Sequence, residues 1–162
     1  VLKYIRMYYC RIIYNLQFYT MEKRQKVLFV CTGNSCRSQI AEGLLRHLAP
    51  DQFEVYSAGS HPSKVHPNAI TVMKELSIDI SDHTSDSISQ YLDKHIDIVI
   101  TVCDEANKVC PVFSGDAKRV HWSIDDPFQG WDTDPSHLEN FRDTIKDIKN
   151  NIIKFLGQQE SS

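Results

Sequence analysis

Short β-rich runs alternate with helical patterns along nearly all of the sequence after Met21. The runs are the kind found in buried parallel strands, and the segments between them place apolar residues at helical spacing. This alternation predicts an α/β fold with right-handed crossovers. We expect three layers: a four-stranded parallel sheet flanked by helices. The predicted strands are 26–30, 53–59, 96–102 and 119–123, and the predicted helices are 38–50, 66–78, 87–94 and 136–156.

Residues 21–162 are expected to form a single catalytic domain, and residues 1–20 an N-terminal extension outside the catalytic fold. The extension contains five of the seven tyrosines, and its apolar residues recur at helical spacing. One interpretation is a basic amphipathic helix that contacts a membrane or a partner. We favour the other, an extension from a misassigned start with Met21 as the natural beginning.

Charge and cysteine content exclude several classes of protein. The net charge is −3 without a long run of one sign, which argues against a nucleic-acid partner. No stretch of 18 apolar residues predicts a membrane span. Five cysteines in a chain of 162 residues do not suggest a secreted disulfide framework. We therefore expect a cytoplasmic monomer with reactive thiols and no stable membrane association.

The segment CTGNSCR, residues 31–37, follows the first predicted strand and opens a helix. Gly33 and Asn34 tolerate left-handed backbone angles, so the loop can turn successive N–H groups inward to bind an anion. The helix N-terminus and the Arg37 guanidinium add positive charge. The predicted oxyanion-binding residues are Thr32, Gly33, Asn34, Ser35, Cys36, Arg37 and Ser38.

Cys31 is the predicted nucleophile of this loop. Helix N-termini and nearby cations favour thiolates, so we expect Cys31 to be largely ionised at neutral pH, with Ser38 donating its hydroxyl to the sulfur. The alternative is a buried, inert cysteine that fills apolar space.

Asp125 and Asp126 precede Pro127 after the fourth predicted strand. A nucleophile that attacks an oxyanion centre expels an oxygen, and that oxygen needs a proton. We prefer Asp126 as the general acid because it directly precedes the proline. The alternative is a carboxylate that only caps a helix or a turn.

Cys103 and Cys110 lie at and after the end of the third predicted strand. Zinc is disfavoured because structural zinc sites use closer cysteine spacing and Arg37 would repel a metal cation; the predicted metal content is none. Two inert thiols are a further alternative. The interpretation we favour is a thiol relay from Cys31 to Cys103 to Cys110 by thiol–disulfide exchange, which requires a marginally stable segment after Cys103.

Several motifs together resemble the thioredoxin-coupled arsenate reductases, which share the fold of low-molecular-weight protein tyrosine phosphatases. The resemblance covers about residues 24–156. The motifs that carry it are VLFVCTGNSCRSQIAEG, SAG, HTSD, TVCDEANKVCP and HWSIDDP.

This resemblance implies that Cys31 attacks arsenate, that Asp126 is the general acid, and that Cys103 and Cys110 are the shuttle thiols. It implies that thioredoxin reduces a final Cys103–Cys110 disulfide, without another cofactor, and that Cys36 takes no part in the relay. Some members hold a monovalent cation beside the loop. The polar residues that could do so here are Asn34, Glu42, Ser57 and Asp86.

Two other functions remain open. A phosphatase acting through a Cys31 phosphocysteine would use the same loop, since arsenate and phosphate are nearly isosteric. Family phosphatases lack the Cys103/Cys110 pair and usually have a tyrosine after Asp-Pro, where this chain has Phe128. The other option is an anion-binding or redox-sensing module without turnover.

Overall fold

A computed structural model describes residues 23–160, in which four strands and four α-helices alternate. The strands are β1 (Gln25–Cys31), β2 (Phe53–Gly59), β3 (Ile98–Thr101) and β4 (Lys118–His121). The helices are α1 (Arg37–Leu48), α2 (Pro67–Glu75), α3 (Asp104–Val109) and α4 (Leu138–Glu160), with short 3₁₀ turns at Ile88–Tyr91 and Pro135–His137.

The strands form one parallel sheet in the order β2-β1-β3-β4. The expected four-stranded parallel α/β fold is therefore confirmed. One expectation about the helices was wrong, and one helix was not expected. The segment 87–94 forms only one 3₁₀ turn, Ile88–Tyr91, and the left-handed φ of 51° at His95 prevents a helix from continuing past residue 94. No helix was predicted at α3, because its six residues are too few to show a periodic apolar pattern.

Strand register brings the cysteine-bearing ends together. Val30 pairs with Thr101 between the adjacent strands β1 and β3. Cys31 ends β1, and Cys103 follows β3 by two residues. Because the carboxyl ends of parallel strands share one edge, both cysteines lie at that edge of the sheet, where ligands bind in such folds.

The helix α4 supplies much of the core on one side of the sheet. Its buried apolar side chains recur every three or four residues, which matches the predicted amphipathic pattern. They are Phe141, Ile145, Ile148, Ile152 and Phe155. Phe155 lies against Phe53 and Trp122, with ring centroids 5.6 and 6.4 Å away, so α4 contacts both edges of the sheet.

The expectations for residues 1–20 fall outside the described part of the chain. Between residues 23 and 160, no helix is long and apolar enough to cross a membrane.

Candidate active site

The loop between β1 and α1 wraps around the Cys31 sulfur. Asn34 takes a φ of 44°, as its residue type allows, and its N–H points at Cys31 Sγ from 3.1 Å. Ser38 Oγ lies 2.9 Å from the same sulfur. Both groups can donate to a thiolate, so the geometry suits an ionised nucleophile.

The carbonyl groups of this loop face away from the cleft. The N–H groups of His61, Ser63 and His66 donate to Thr32 O, Gly33 O and Ser35 O at 2.9, 3.0 and 3.0 Å. Helix α1 begins at Arg37 without a side-chain cap. Because the segment 61–66 of the same chain holds these carbonyls, N–H groups of the loop are available to bind an anion, as the sequence predicts.

Gly59 is the last residue of β2 and allows the end of that strand to approach the loop closely. A Cβ at this position would lie 2.6 Å from Thr32 O and 2.9 Å from Asn34 N, both backbone atoms that cannot easily move. The loop conformation therefore depends on a glycine in the neighbouring strand.

A buried polar network supports the loop from beneath. Asn34 Nδ2 donates to Ser38 Oγ at 2.8 Å and to Ser57 Oγ at 2.9 Å, and Ser57 donates to Glu42 at 2.5 Å. Asp86 N donates to Asn34 Oδ1 at 2.7 Å. The four candidate cation ligands thus lie in one network. Because Glu42 also pairs with Arg46 at 2.7 Å, its charge already has a partner.

Arg37 lies at the mouth of the loop and is paired with Asp126. Its Nη2 is 2.7 Å from Asp126 Oδ2, and its Nη1 donates to Ile124 O at 3.1 Å. The structure therefore brings together the predicted anion-binding cation and the predicted acid, although they lie 89 positions apart in the sequence.

These groups surround a cleft of about 540 Å³. The predicted residues that line it are Cys31, Thr32, Gly33, Ser35, Cys36, Arg37, Cys103 and Asp126. Asn34 and Ser38 lie behind this lining, buried in the network beneath the loop. Cys110 is outside the lining as well, so the structure places two of the three relay cysteines at the cleft.

Cys103 faces the predicted anion-binding loop, residues 31–37 and hereafter the anion loop, from the start of α3. Thr32 Oγ1 lies 3.6 Å from Cys103 Sγ, and this sulfur accepts the Ala106 N–H at 3.4 Å as the helix cap. The next residue, Asp104, accepts from His121 Nε2 and Ser123 Oγ, each at 2.9 Å. Helix α3 is thus tied to the chain at and just beyond the end of β4.

Cys110 directly follows α3 as its C-cap and is half-buried, and burial raises the pKa of its thiol. Cys36 lies inside the loop, where burial raises the pKa of its thiol to about 12. Cys36 is therefore protonated at neutral pH and is a poor nucleophile. The four cysteines at positions 31, 36, 103 and 110 are free thiols.

Two aromatic side chains line the outer part of the cleft. Phe128 and Trp131 are 40% and 41% exposed, and their ring centroids are 5.2 Å apart in an edge-to-face arrangement. Both rings contact His66, which is buried. Partly exposed aromatic rings beside an anion loop can contact the organic part of a phosphate ester.

Sequence reasoning missed three parts of this site: Gly59, His66 and the Asp104–His121 contact. A glycine as the last residue of a predicted strand was the only signal for Gly59, since close approach of two backbones is a known role of strand glycines. His66 and the Asp104–His121 contact had no signal, because their partners are distant in sequence.

A sequence model of the family described as low molecular weight phosphotyrosine protein phosphatase matches residues 26–161. The chain is 44% identical over 132 residues to an arsenate reductase of Halalkalibacterium halodurans, covering 82% of this chain and 95% of that protein.

Solved structures give the same relationship. An arsenate reductase in its phosphate-binding state superposes with a TM-score of 0.69 at 34% identity, covering 83% of this chain and 98% of the other. A thioredoxin-dependent arsenate reductase of Corynebacterium glutamicum gives a TM-score of 0.67 at 30% identity, with 90% and 67% covered.

Proposed function

Since the chain belongs to the low molecular weight phosphotyrosine protein phosphatase family, in the group that contains arsenate reductases, we propose that it reduces arsenate to arsenite. The observation that carries this proposal is the second thiol at the anion loop: Cys103 Sγ lies 3.6 Å from Thr32 Oγ1 and lines the same cleft as Cys31. Hydrolysis of a phosphate ester needs one thiol there, whereas reduction by thiols needs two.

The first step is attack of the Cys31 thiolate on arsenic. A sulfur–arsenic bond forms, an arsenic–oxygen bond breaks, and Asp126 delivers the proton with which the oxygen leaves as water. Inward N–H groups and Arg37 hold the remaining oxygens. Because Arg37 is paired with Asp126 in the free protein, the arriving anion competes for the guanidinium and frees the carboxyl.

In the second step the Cys103 thiolate attacks Cys31 Sγ. A disulfide forms between the two sulfurs, the sulfur–arsenic bond breaks, and its electron pair stays on arsenic, which leaves as arsenite. Two thiols have then supplied the two electrons of the reduction.

In the third step Cys110 attacks Cys103, which releases Cys31 as a thiolate and leaves a Cys103–Cys110 disulfide. Along a helix these two residues are separated by roughly 10 Å, at 1.5 Å per residue, but a disulfide needs Cα atoms within about 7 Å. Helix α3 must therefore unwind. It is six residues long, so unwinding breaks few backbone hydrogen bonds.

We propose thioredoxin as the reductant of that disulfide, and arsenic detoxification in the cytoplasm as the role. Val109 and Val112 beside Cys110 are 62% and 87% exposed, so the reductant reaches this thiol more readily than the buried Cys31. No further cofactor is invoked, because electrons enter through thiols.

Substitution of the relay cysteines tests this function. We expect Cys103→Ser to abolish arsenate turnover with thioredoxin and to retain hydrolysis of a small aryl phosphate, because only reduction needs the second thiol. Cys31→Ser should abolish both reactions. Cys110→Ser should release one arsenite per protein and then stop with a Cys31–Cys103 disulfide. Continued arsenate turnover by Cys103→Ser would disprove the relay.

Hydrolysis of phosphate monoesters is the second candidate function. Phe128 and Trp131 support it, since both line the cleft and are partly exposed. As a side reaction it would use Cys31, Arg37 and Asp126 in the same roles, with a phosphocysteine that water hydrolyses. A wild-type protein that hydrolyses aryl phosphates but does not turn over arsenate with thioredoxin would favour this function.

A further inference from the structure

His66 connects two loops of the cleft that are far apart in the sequence. It is buried and precedes α2, and its backbone N–H donates to Ser35 O in the anion loop at 3.0 Å. Its Nδ1 accepts the Asn68 N–H at 3.0 Å, which caps α2. On this side His66 joins the anion loop to the helix.

The second ring nitrogen reaches the loop that carries Asp126. His66 Nε2 lies 2.7 Å from Gly130 O. A carbonyl oxygen only accepts, so Nε2 carries the hydrogen, and Nδ1 is the acceptor. Gly130 has a φ of 118°, which side-chain-bearing residues rarely adopt. The direction of its carbonyl therefore depends on glycine.

The aromatic residues of the loop that carries Asp126 pack against the face and the edge of the His66 ring. Trp131 stacks on His66 with centroids 5.3 Å apart and planes at 15°. Phe128 meets the ring edge-on at 5.6 Å, and Phe141 of α4 packs against it at 4.9 Å. The loop thus rests on an imidazole that is itself fixed by the core.

Asp126 is fixed through Phe128. One carboxylate oxygen accepts the Phe128 N–H at 3.2 Å, and the other pairs with Arg37. A shift of Phe128 or Gly130 would therefore move the carboxylate relative to the anion loop.

We propose that His66 is a positioning residue that holds the loop 125–131 in register with the anion loop, and so places Asp126 over the bound oxyanion. The catalytic consequence rests on the proposed function, because it requires Asp126 to be the acid. Capping α2 alone needs only one acceptor, which a serine or an asparagine supplies, whereas His66 also uses its second nitrogen and its ring.

Two substitutions separate the roles of the two nitrogens. His66→Asn keeps an acceptor near the place of Nδ1, so the cap is retained, but loses the bond to Gly130 O and most of the ring. His66→Gln can place its amide nitrogen near the place of Nε2 and keep the bond to Gly130 O. If one variant fails to fold, the other still tests the loop.

¹⁹F NMR of protein labelled with 5-fluorotryptophan measures the position of the loop 125–131 independently of enzymatic activity. The chain has two tryptophans: Trp131 stacks on His66, and Trp122 is buried in the core and serves as the internal reference. We expect His66→Asn to shift and broaden the Trp131 resonance and to leave that of Trp122 unchanged. An unchanged Trp131 resonance would overturn the proposal.

The catalytic consequence is measured as the rate of arsenite release in a single turnover without thioredoxin. We expect His66→Asn to lower this rate by at least about tenfold, since misplacing a group by 1 Å can cost about a hundredfold. His66→Gln should stay within about threefold of wild type, and the arsenate concentration at half-maximal rate within about twofold for both.

The dependence on Asp126 is measured with Asp126→Asn alone and combined with His66→Asn. If His66 acts through Asp126, the double variant is no slower than Asp126→Asn. Equal slowing of wild type and Asp126→Asn by the His66 substitution would overturn the proposal. If Asp126→Asn itself is not slowed, the acid role in the proposed function fails, and the Trp131 resonance alone decides whether His66 holds the loop.

Discussion

Arg37 and Asp126 form an ion pair of 2.7 Å across the cleft, between the first residue of α1 and the loop beyond β4. The guanidinium is mostly buried, with 13% of the side chain exposed, whereas the carboxylate is 53% exposed. The carboxylate is therefore the more accessible partner, and an oxyanion that binds Arg37 has to displace it or share the guanidinium with it.

Asp126→Asn should affect binding and turnover in opposite directions. Loss of the competing carboxylate should tighten binding of inorganic phosphate by about two- to fivefold, because partly exposed pairs are weak. Loss of the acid should slow arsenite release by about a hundredfold. Isothermal titration calorimetry and a single-turnover assay measure the two effects.

The matched control is Asp125→Asn, which removes the same charge from the lining of the same cleft. It should change the rate of arsenite release by less than about threefold. A large loss with Asp125→Asn and none with Asp126→Asn would reverse our choice of the acid.

Gly59→Ala should weaken anion binding by at least about tenfold, because the new Cβ would meet Thr32 O at 2.6 Å and push the loop out of position. Phosphate affinity by calorimetry checks this. The control is Gly157→Ala in α4, where a Cβ meets nothing within 4 Å. This control should leave phosphate affinity unchanged and raise stability by up to about 1 kcal/mol. Unchanged affinity in Gly59→Ala would contradict the role of close packing in shaping the loop.

His121→Ala should loosen α3, because it removes the 2.9 Å contact that ties Asp104 to β4. We expect faster hydrogen exchange in residues 104–109 and Cys103–Cys110 disulfide formation about two- to fivefold faster. Lys108→Ala is the control, since it removes only the contact with Glu105 within the helix. Equal effects of the two substitutions would mean that helix stability, not the tie to β4, limits the motion.

Stability should fall as pH rises above about 9. Burial raises the pKa of Cys36 from 9.0 to about 12. Between pH 9 and pH 12 the Cys36 thiol keeps its proton in the folded protein but loses it in the unfolded chain. Unfolding therefore becomes more favourable by up to about 1.4 kcal/mol per pH unit. Urea unfolding at pH 8, 9 and 10 under reducing conditions measures the slope.

Cys36→Ala should reduce this slope between pH 9 and 10, whatever it does to stability at pH 7, and Cys110, whose pKa burial also raises, contributes to the remaining slope. Tyr56 and Tyr91 also have a pKa raised to about 12, but from an ordinary value of 10.0, so their contribution begins at higher pH. The same slope in wild type and Cys36→Ala would show that another group causes it.

Local sequence was sufficient to predict the secondary-structure elements that have a strong hydrophobic periodicity. The strand patterns and the spacing of apolar residues in α4 predicted the sheet and its main covering helix. Burial of one face produces a hydrophobic periodicity that is visible in the local sequence. The pattern around α3 has no such period. Its stability comes from an N-cap at Cys103 and from contacts to residues 17 and 19 positions away.

The same distinction applies to the site. The sequence by itself predicted an anion-binding loop with Cys31 and Arg37, and determined the strand, loop and helix N-terminus that form it, because these are contiguous and their chemistry is local. Only the tertiary structure decided that Arg37 pairs with Asp126, that Gly59 shapes the loop, and that His66 joins the two loops. Those contacts join segments from 25 to 89 positions apart. Their geometry depends on how the strands pack rather than on any residue's neighbours in the chain.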